Sequence, residues 1–234
     1  SVEGRLFHLS AVTELLPAAA RHDVASHLIG LVRKELIRPD RAVFLGDDGF
    51  RFGHVLIRDT AYESMPKRLR AELHGRFASW LETKLGHRAE EYDEIIGYHL
   101  EQALGYRSEL GISDDTLARR AAARLGAAGK RALDRGDMEG ASNLLMRAIV
   151  LCGEADAPRA ELEVELGQAL LEGGRLSEAA SLLAGTIART TSDEDVLVRA
   201  RAEVGLANVR VRVEGPEYHP GIAKDVEPVV SLFE

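Results

Sequence analysis

The most restrictive feature of this sequence is a period of 38 residues in its second half. Gly129, Gly167 and Gly205 follow one another at that interval. Around the first two glycines, matching residue types recur at the same offset: Gly136 and Gly174, Ala141 and Ala179, Leu145 and Leu183, and Ile149 and Ile187. A fixed period of this length indicates a solenoid of helical hairpins, because each hairpin buries its apolar face only against its neighbours.

The small residues of this repeat are predicted to serve its packing. Gly136 and Gly174 stand where the first helix of each hairpin should end in a left-handed conformation. The other small residues should let paired helices approach closely: Gly129, Gly167, Ala141 and Ala179. Gly205 marks a third, partial copy. We expect a last short helix, at about Ile222–Phe233, to cap the stack.

The first 66 residues have a different pattern. Apolar spacing predicts helices at Leu6–Leu16 and His22–Ile37, and a third from about His54 to Ser64. Between them, Ala42–Leu45 and Phe50–Phe52 read as two short strands around a tight turn, with Phe50 and Phe52 on one face. Two helices, a β-hairpin and a further helix form the outline of a winged-helix module.

Two longer amphipathic helices are predicted next, and together they form a helical hairpin. Their apolar stripes are Leu69, Leu73, Phe77, Leu81 and Leu85 in one helix, and Ile95, Ile96, His99, Leu100 and Ala103 in the other. Gly86 should end the first of them. The predicted fold is therefore mainly α: a winged-helix-like module at 1–66, a helical hairpin linker at 67–112, and an α-α superhelix of repeats at 113–234.

Composition and charge limit the function. The lone Cys152 cannot form an internal disulfide, and the sequence shows neither a signal peptide nor a long apolar run, so we expect a cytoplasmic protein. Residues 71–234 carry nineteen Lys or Arg against twenty-nine Asp or Glu, which disfavours nucleic-acid and membrane surfaces. Residues 21–70 carry ten against seven, so DNA contact is open only there. Because the sequence begins without methionine, we expect a piece of a longer protein.

Two resemblances sharpen these expectations. The Gly, Ala and Leu positions of residues 128–149 resemble those of tetratricopeptide repeats. Three stretches, FRFGHVLIRDTAYE at 50–63, LHGRFASWLE at 73–82 and IIGYHLEQA at 95–103, are similar to the region behind the ATPase domain of bacterial STAND-type signalling ATPases. That family includes multidomain adenylate cyclases and transcriptional regulators. The resemblance implies a regulatory region whose repeats bind a protein or peptide and whose first module packs on its own ATPase domain.

The resemblance also assigns a role to His54. Related ATPases carry a Met-His-Asp motif at this place, and its histidine touches the β-phosphate of bound ADP. Here the flanking residues are Gly53 and Val55. His54 would sense nucleotide only in the full protein, because this sequence lacks a phosphate-binding loop of its own. ATP or ADP is therefore expected in the parent protein, and no cofactor in this chain.

The other polar residues leave the alternatives open. Arg33, Lys34, Arg38 and Arg51 form either a solvated face or a surface for contact with DNA or with the ATPase domain. Lys67, Arg68 and Arg70 form either a simple exposed run or a site for a partner or for salt bridges. The alternative function is therefore a DNA-binding winged-helix transcription regulator with a repeat arm for dimerisation or an effector. We find no spacing of the histidines that suits a metal and no nucleophile–base pair, so we expect neither a metal site nor an enzyme.

Overall fold

The computed structural model describes residues 1–44, 46–153, 157–192 and 195–214. The chain divides into two compact units, residues 1–118 and 119–234. In the first unit the described strands and helices run in the order β1 (Leu6–His8), α1 (Leu9–Leu15), α2 (Val24–Arg33), β2 (Ile37–Asp40), β3 (Gly49–Phe52), α3 (Val55–Glu63), α4 (Lys67–Leu85) and α5 (Asp93–Glu109). Short 3₁₀ segments precede α2 and α5. The predicted boundaries at residues 66 and 112 stay predictions.

The three strands of this unit form an antiparallel sheet with the order β1-β3-β2. Two of its strands differ from the predicted ones, so those two predictions were wrong. Leu6–His8 was expected to be helical, and the first strand of the hairpin was expected at Ala42–Leu45 rather than at Ile37–Asp40. The reason is tertiary: β3 pairs with both segments, and the pairing buries Phe7 and Ile37 in one core with Phe52. The shared face of Phe50 and Phe52 is confirmed, since both rings pack on Phe7.

Helix α2 ends four residues earlier than predicted. Glu35 adopts a φ of 57°, the left-handed conformation that glycine usually takes just after a helix. The amide of Leu36 donates to the carbonyl of Leu31 at 3.1 Å, and the amide of Glu35 donates to that of Val32 at 2.9 Å. These bonds satisfy the last carbonyls of the helix, so the chain turns into β2 before reaching Pro39.

Replacing Glu35 with glycine is expected to stabilise the first unit by about 0.5–1 kcal/mol. A left-handed conformation costs an L-residue roughly 1–2 kcal/mol, and the greater freedom of glycine in the unfolded chain offsets part of the gain. Urea unfolding followed by the fluorescence of Trp80, the single tryptophan, measures the change. Glu35→Ala is the control, because it removes the same carboxylate but keeps a β-carbon. An equal gain in both variants would mean that charge, and not backbone strain, is responsible.

Helices α4 and α5 form the predicted hairpin. Gly86 ends α4 with a φ of 53°, as expected. Phe77 and Leu81 are buried between the helices with the corresponding side chains of α5. Leu69 and Ile95 are exposed, however, so their place in the predicted stripes was wrong. In an α-helix, each step of four residues rotates the side chain about 40° beyond a full turn. Leu69 and Ile95, the first residues of the two stripes, therefore lie outside the buried face.

The second unit is a stack of helical hairpins. Its elements are α6 (Asp115–Asp134), which begins within the first unit, α7 (Met138–Leu151), α8 (Ala157–Glu172), α9 (Leu176–Arg189) and α10 (Val196–Glu214). Gly136 and Gly174 have φ values of 80° and 76° in the links α6–α7 and α8–α9, which confirms their predicted role. Ala141 and Ala179, also as predicted, have no exposed surface.

The repeated glycines allow the close helix contacts that were predicted. A β-carbon at Gly129 would lie 2.7 Å from Cγ of Leu145 on α7, and one at Gly167 would lie 2.5 Å from Cδ2 of Leu183 on α9. A β-carbon at Gly205 would lie 3.0 Å from Cδ1 of the same leucine. Leu183 is therefore held between α8 and α10, and it joins the second hairpin to the third copy of the repeat.

The predicted capping helix at Ile222–Phe233 lies outside the described residues. Among the helices that are described, none has the length and apolar character needed to cross a membrane.

Candidate functional site

His54 caps the N-terminus of α3. Its Nδ1 accepts a hydrogen bond from the amide of Leu56 at 3.1 Å, and its ring is exposed. An Nδ1 that accepts carries no proton, so in neutral imidazole the proton is on Nε2. Gly53 fixes the approach to this cap: its amide donates to the carbonyl of Leu36 at 2.9 Å, and a β-carbon there would lie 2.7 Å from the carbonyl oxygen of Glu35. His54 thus presents one free N–H donor from a defined position, and its nucleotide-sensing role stays a prediction.

The basic residues named from the sequence do not form one uniform surface. Arg33 is the last residue of α2 and Lys34 caps it; both are exposed and form no ion pair within the described ranges. Arg38 and Arg51 lie opposite each other on β2 and β3. Arg51 is bound by Asp40, and this hydrogen bond holds the pKa of the Asp40 carboxyl below its usual value. Arg51 therefore already has an ion-pair partner, whereas Arg33, Lys34 and Arg38 are exposed to solvent.

The loop between β2 and β3, which would be the wing of a winged helix, is tied to the rest of the unit. The amide of Val43 donates to Nε2 of His8 at 3.0 Å, and the Asp47 carboxylate accepts the amide of Ser10 at 3.2 Å. The ring of Phe44 lies edge-on to Trp80, with centroids 5.5 Å apart. A loop held at three points in this way is less free to enter a DNA groove than an extended wing.

The basic start of α4 has a structural explanation. Arg70 donates from Nε to the carbonyl of Met65 at 3.0 Å and from an Nη to the carbonyl of Glu63 at 2.7 Å. It therefore neutralises the carbonyl end of α3, where a cation is favoured. Lys67 pairs with Glu109 of α5 at 2.8 Å. These two cations hold the corner between α3, α4 and α5, and no outside partner is needed to explain them.

A buried polar chain that sequence reasoning missed lies beside this corner. The hydroxyl of Tyr62 is 2.8 Å from Nε2 of His74 and 3.0 Å from the hydroxyl of Tyr106, and Nδ1 of His74 is 2.8 Å from Nδ1 of His99. Burial lowers the pKa of His74 to about 4 and that of His99 to about 3. Both rings are neutral at pH 7, so one Nδ1 donates and the other accepts. The sequence did contain a signal for this contact, since each helix of the hairpin carries a histidine on its buried face.

The buried chain is better suited to positioning α3 on the hairpin than to chemistry. His74 and His99 are only 1% and 3% exposed, so no substrate reaches the ring nitrogens that they share. Among the described residues, no group of three or more His, Cys, Asp or Glu side chains is placed to hold a metal ion.

An open groove of about 460 Å³ lies between α8 and α10 in the second unit. Leu183 of α9 is its floor, beneath the contact that the leucine makes with Gly167 and Gly205. Buried apolar side chains form its lower walls: Val164 and Leu171 of α8 and Ala200 of α10. The period predicted a repeat surface for partners, but it did not identify this position, because the groove results from how two helices of different repeats are spaced.

The polar residues of this groove fall into two kinds. Arg201 donates to Glu165 at 2.6 Å, and Glu172 accepts from Arg212 at 2.9 Å, so the charged residues are paired. Gln168 of α8 and Asn208 of α10 line the groove as well. Both carboxamides are exposed, and neither forms a hydrogen bond within the described part of the chain.

Taken together, these features define a mainly α protein with a small three-stranded sheet, a stack of helical-hairpin repeats and an open groove between repeats. The structure is similar to a crystal structure from Podosopora anserina, described as a kinesin light chain with nearly identical TPR-like repeats. The two share 14% identity over 76% of this chain and 84% of the other, with a TM-score of 0.44. No protein-family model matches the sequence. No curated protein matches it either. The repeat architecture therefore rests on the packing of these helices.

Proposed function

We propose that this chain is a non-catalytic protein-interaction region whose repeats bind a segment of another protein between α8 and α10. The observation that carries the proposal is the groove itself. It has an apolar floor, two exposed carboxamides that form no hydrogen bond with the described residues, and a volume of about 460 Å³, within the ~300–1,000 Å³ typical of binding pockets. Solenoids of helical hairpins commonly bind partners on such extended surfaces between repeats.

The finer proposal is that the chain is the regulatory arm of a STAND-type signalling ATPase. Residues 50–63, 73–82 and 95–103, which resemble that family, run through β3, α3, α4 and α5 of one compact unit. The arm would depend on its parent for nucleotide: the sequence nearest to a phosphate-binding loop, residues 126–131, lies inside α6. Binding in the groove would then be transmitted to the first module and to a nucleotide held by the parent ATPase domain.

Release of ADP from the full-length parent tests the role of His54. If Nε2–H of His54 contacts the β-phosphate, His54→Ala is expected to release ADP at least tenfold faster, because a hydrogen bond to a charged group is worth roughly 1.5–3 kcal/mol. His54→Asn is the matched control, since asparagine keeps the helix cap but cannot place a donor where Nε2 stands. Faster release in both variants supports the contact. An effect of alanine alone would assign the residue to capping, and unchanged release in both would remove it from nucleotide sensing.

Duplex DNA is the second candidate partner, favoured by Arg33, Lys34 and Arg38, which are exposed and form no ion pair with any residue that the structure describes. If they contact phosphates, binding of this chain to a duplex should weaken steeply with salt, and alanine at all three positions should abolish it. The ion pair of Arg51 with Asp40 and the hydrogen bonds that hold the loop between β2 and β3 argue against DNA binding. We therefore expect no salt-dependent binding, and retention of the duplex would favour the transcription-regulator alternative.

A further inference from the structure

We propose that α3 opens independently of the rest of the first unit, and that the hydrogen bonds of the Tyr62 hydroxyl hold it closed. Opening separates α3 from both of its neighbours, the three-stranded sheet and the hairpin of α4 and α5. Because His54 caps α3, its position changes with the opening, whatever group it binds. The proposal therefore depends neither on nucleotide sensing nor on the groove between α8 and α10.

Apolar packing holds α3 only weakly. None of the nine residues that the structure describes in α3 is buried, and Val55 and Leu56 are 42% and 64% exposed. Ile57 packs against the core of the sheet but is only partly buried. The buried residues of the sheet core and of the hairpin belong to other elements, so both cores persist when α3 opens. A segment with few buried apolar contacts opens at a free energy below that of global unfolding.

Polar contacts at the C-terminal end of α3 take the place of apolar packing. The hydroxyl of Tyr62 lies 2.8 Å from Nε2 of His74 on α4 and 3.0 Å from the hydroxyl of Tyr106 on α5. The guanidinium carbon of Arg70 lies over the ring of Tyr62, 4.9 Å from its centroid. Tyr62 is thus the side chain through which α3 joins the buried polar chain of the hairpin.

The contact of Tyr62 with His74 resists opening because the histidine is buried. His74 is 1% exposed, so its Nε2 has little access to water when the hydroxyl of Tyr62 moves away. Leaving a buried polar atom without a partner costs more than the net contribution of an ordinary hydrogen bond. The closed state of α3 is therefore favoured by this bond more than by its apolar side chains.

The shortness of α3 determines what opening produces. Isolated helices of fewer than about 12–15 residues are marginal in water, because helix nucleation is unfavourable. Residues 53–54 join α3 to β3 and residues 64–66 join it to α4, so the helix cannot move far as a rigid body. Opening therefore unravels α3 and exposes its amides to solvent, where they exchange their hydrogens.

Native-state hydrogen exchange of this chain, followed by mass spectrometry on peptides from α3, α4 and α5, tests the proposal. In the wild type, the peptides of α3 are expected to exchange faster than those of α4 and α5. Their exchange should also be insensitive to low concentrations of urea, because urea acts in proportion to the surface that unfolding exposes, and α3 exposes little. If α3 exchanges at the rate and with the urea dependence of α4 and α5, it opens only by global unfolding and the proposal fails.

Tyr62→Phe removes the hydroxyl and keeps the ring beneath Arg70. It should speed the exchange of α3 about tenfold, which is the size expected for the loss of a hydrogen bond to a buried partner. Tyr98→Phe is the matched control, because Tyr98 lies beside His74 on α5 but is 44% exposed, and its hydroxyl forms no hydrogen bond with the described residues. The control should keep the wild-type rate.

Two results with these variants would overturn the role of Tyr62. If Tyr62→Phe leaves the exchange of α3 unchanged while α4 and α5 exchange faster, the bond survives the opening and does not hold α3 closed. If Tyr98→Phe speeds the exchange of α3 as much as Tyr62→Phe does, a change anywhere in the aromatic cluster has the same effect, and the hydroxyl of Tyr62 has no special part.

Discussion

Lowering the pH from 7 to 5 is expected to destabilise the first unit by about 2 kcal/mol for each of His74 and His99. Burial lowers their pKa values in the folded protein to about 4 and about 3, against 6.5 for an ordinary histidine. Below pH 6.5 the unfolded chain therefore binds protons that the folded chain does not, so the free energy of unfolding falls with the pH. The loss continues until the pH reaches the folded pKa values.

The groups around His74 and His99 do little to stabilise an added proton. Arg70 on α4 is a cation that further lowers the pKa of His74. Tyr62 on α3 and Tyr98 and Tyr106 on α5 face the same cluster with neutral hydroxyl groups or rings. None of these groups supplies a negative charge at pH 5 that could stabilise an imidazolium ion there.

Urea unfolding followed by Trp80 fluorescence at pH 7, 6 and 5 measures the effect, because Trp80 lies on α4 of the same unit. His99→Asn should flatten the dependence: an amide can replace Nδ1 as a hydrogen-bonding atom but does not titrate. The variant is expected to be less stable than wild type at pH 7, since it loses the ring packed against Phe77. His87→Gln, at an exposed position, should keep the wild-type slope. Equal slopes in all three proteins would show that the pair does not control acid stability.

Gly167→Ala is expected to destabilise the second unit by about 1–2 kcal/mol, although alanine is the better helix former. The gain in helix propensity is about 1 kcal/mol, whereas overpacking a tight contact typically costs about 1–3 kcal/mol. The new β-carbon would lie 2.5 Å from Cδ2 and 2.8 Å from Cγ of Leu183. Movement of Leu183 away from α8 is limited by α10, because Cδ1 of Leu183 lies only 3.0 Å from the position that a β-carbon at Gly205 would take.

Gly185→Ala on α9 is the matched control and should have the opposite sign. Its β-carbon would meet only Nη1 of Arg189, at 3.2 Å, and this guanidinium is bound through Nη2 to the buried Glu163. Because the guanidinium needs to shift by only a few tenths of an ångström, the variant should still gain about 0.5 kcal/mol. Thermal unfolding followed by circular dichroism at 222 nm measures both variants, and Trp80 fluorescence checks that the first unit is unaffected. Stabilisation by both alanines would contradict the close packing at Gly167.

Features that depend on residues close together in the chain were predictable from the sequence. The ends of α6 and α8 at Gly136 and Gly174 were predictable, because a left-handed glycine after an amphipathic helix is a signal within a few residues. The period of 38 residues located the close contacts of Gly129 and Gly167 for the same reason: each repeat is a local unit copied along the chain. The hairpin of α4 and α5 also followed from local periodicity, apart from the residues that drift off its buried face.

The strands were not predictable in the same way. Leu6–His8 contains the apolar residues that begin a helical pattern, yet β3, more than forty positions further along the chain, pairs with it. A strand acquires its hydrogen bonds from distant residues, so its local sequence does not decide its state. Glu35 shows the converse, since an L-residue took a conformation that local preference assigns to glycine.

The candidate sites show the same difference between local and distant interactions. The sequence by itself determined the repeat, its glycines, the hairpin and the position of His54 at the start of a helix, because these depend on residues close together in the chain. Only the tertiary structure decided that His74 meets His99, that Arg201 is neutralised by Glu165, and that Gln168 and Asn208 share one groove. These relations join side chains 25 to 40 residues apart, and they depend on the packing distance and rotation of helices, which no local pattern encodes.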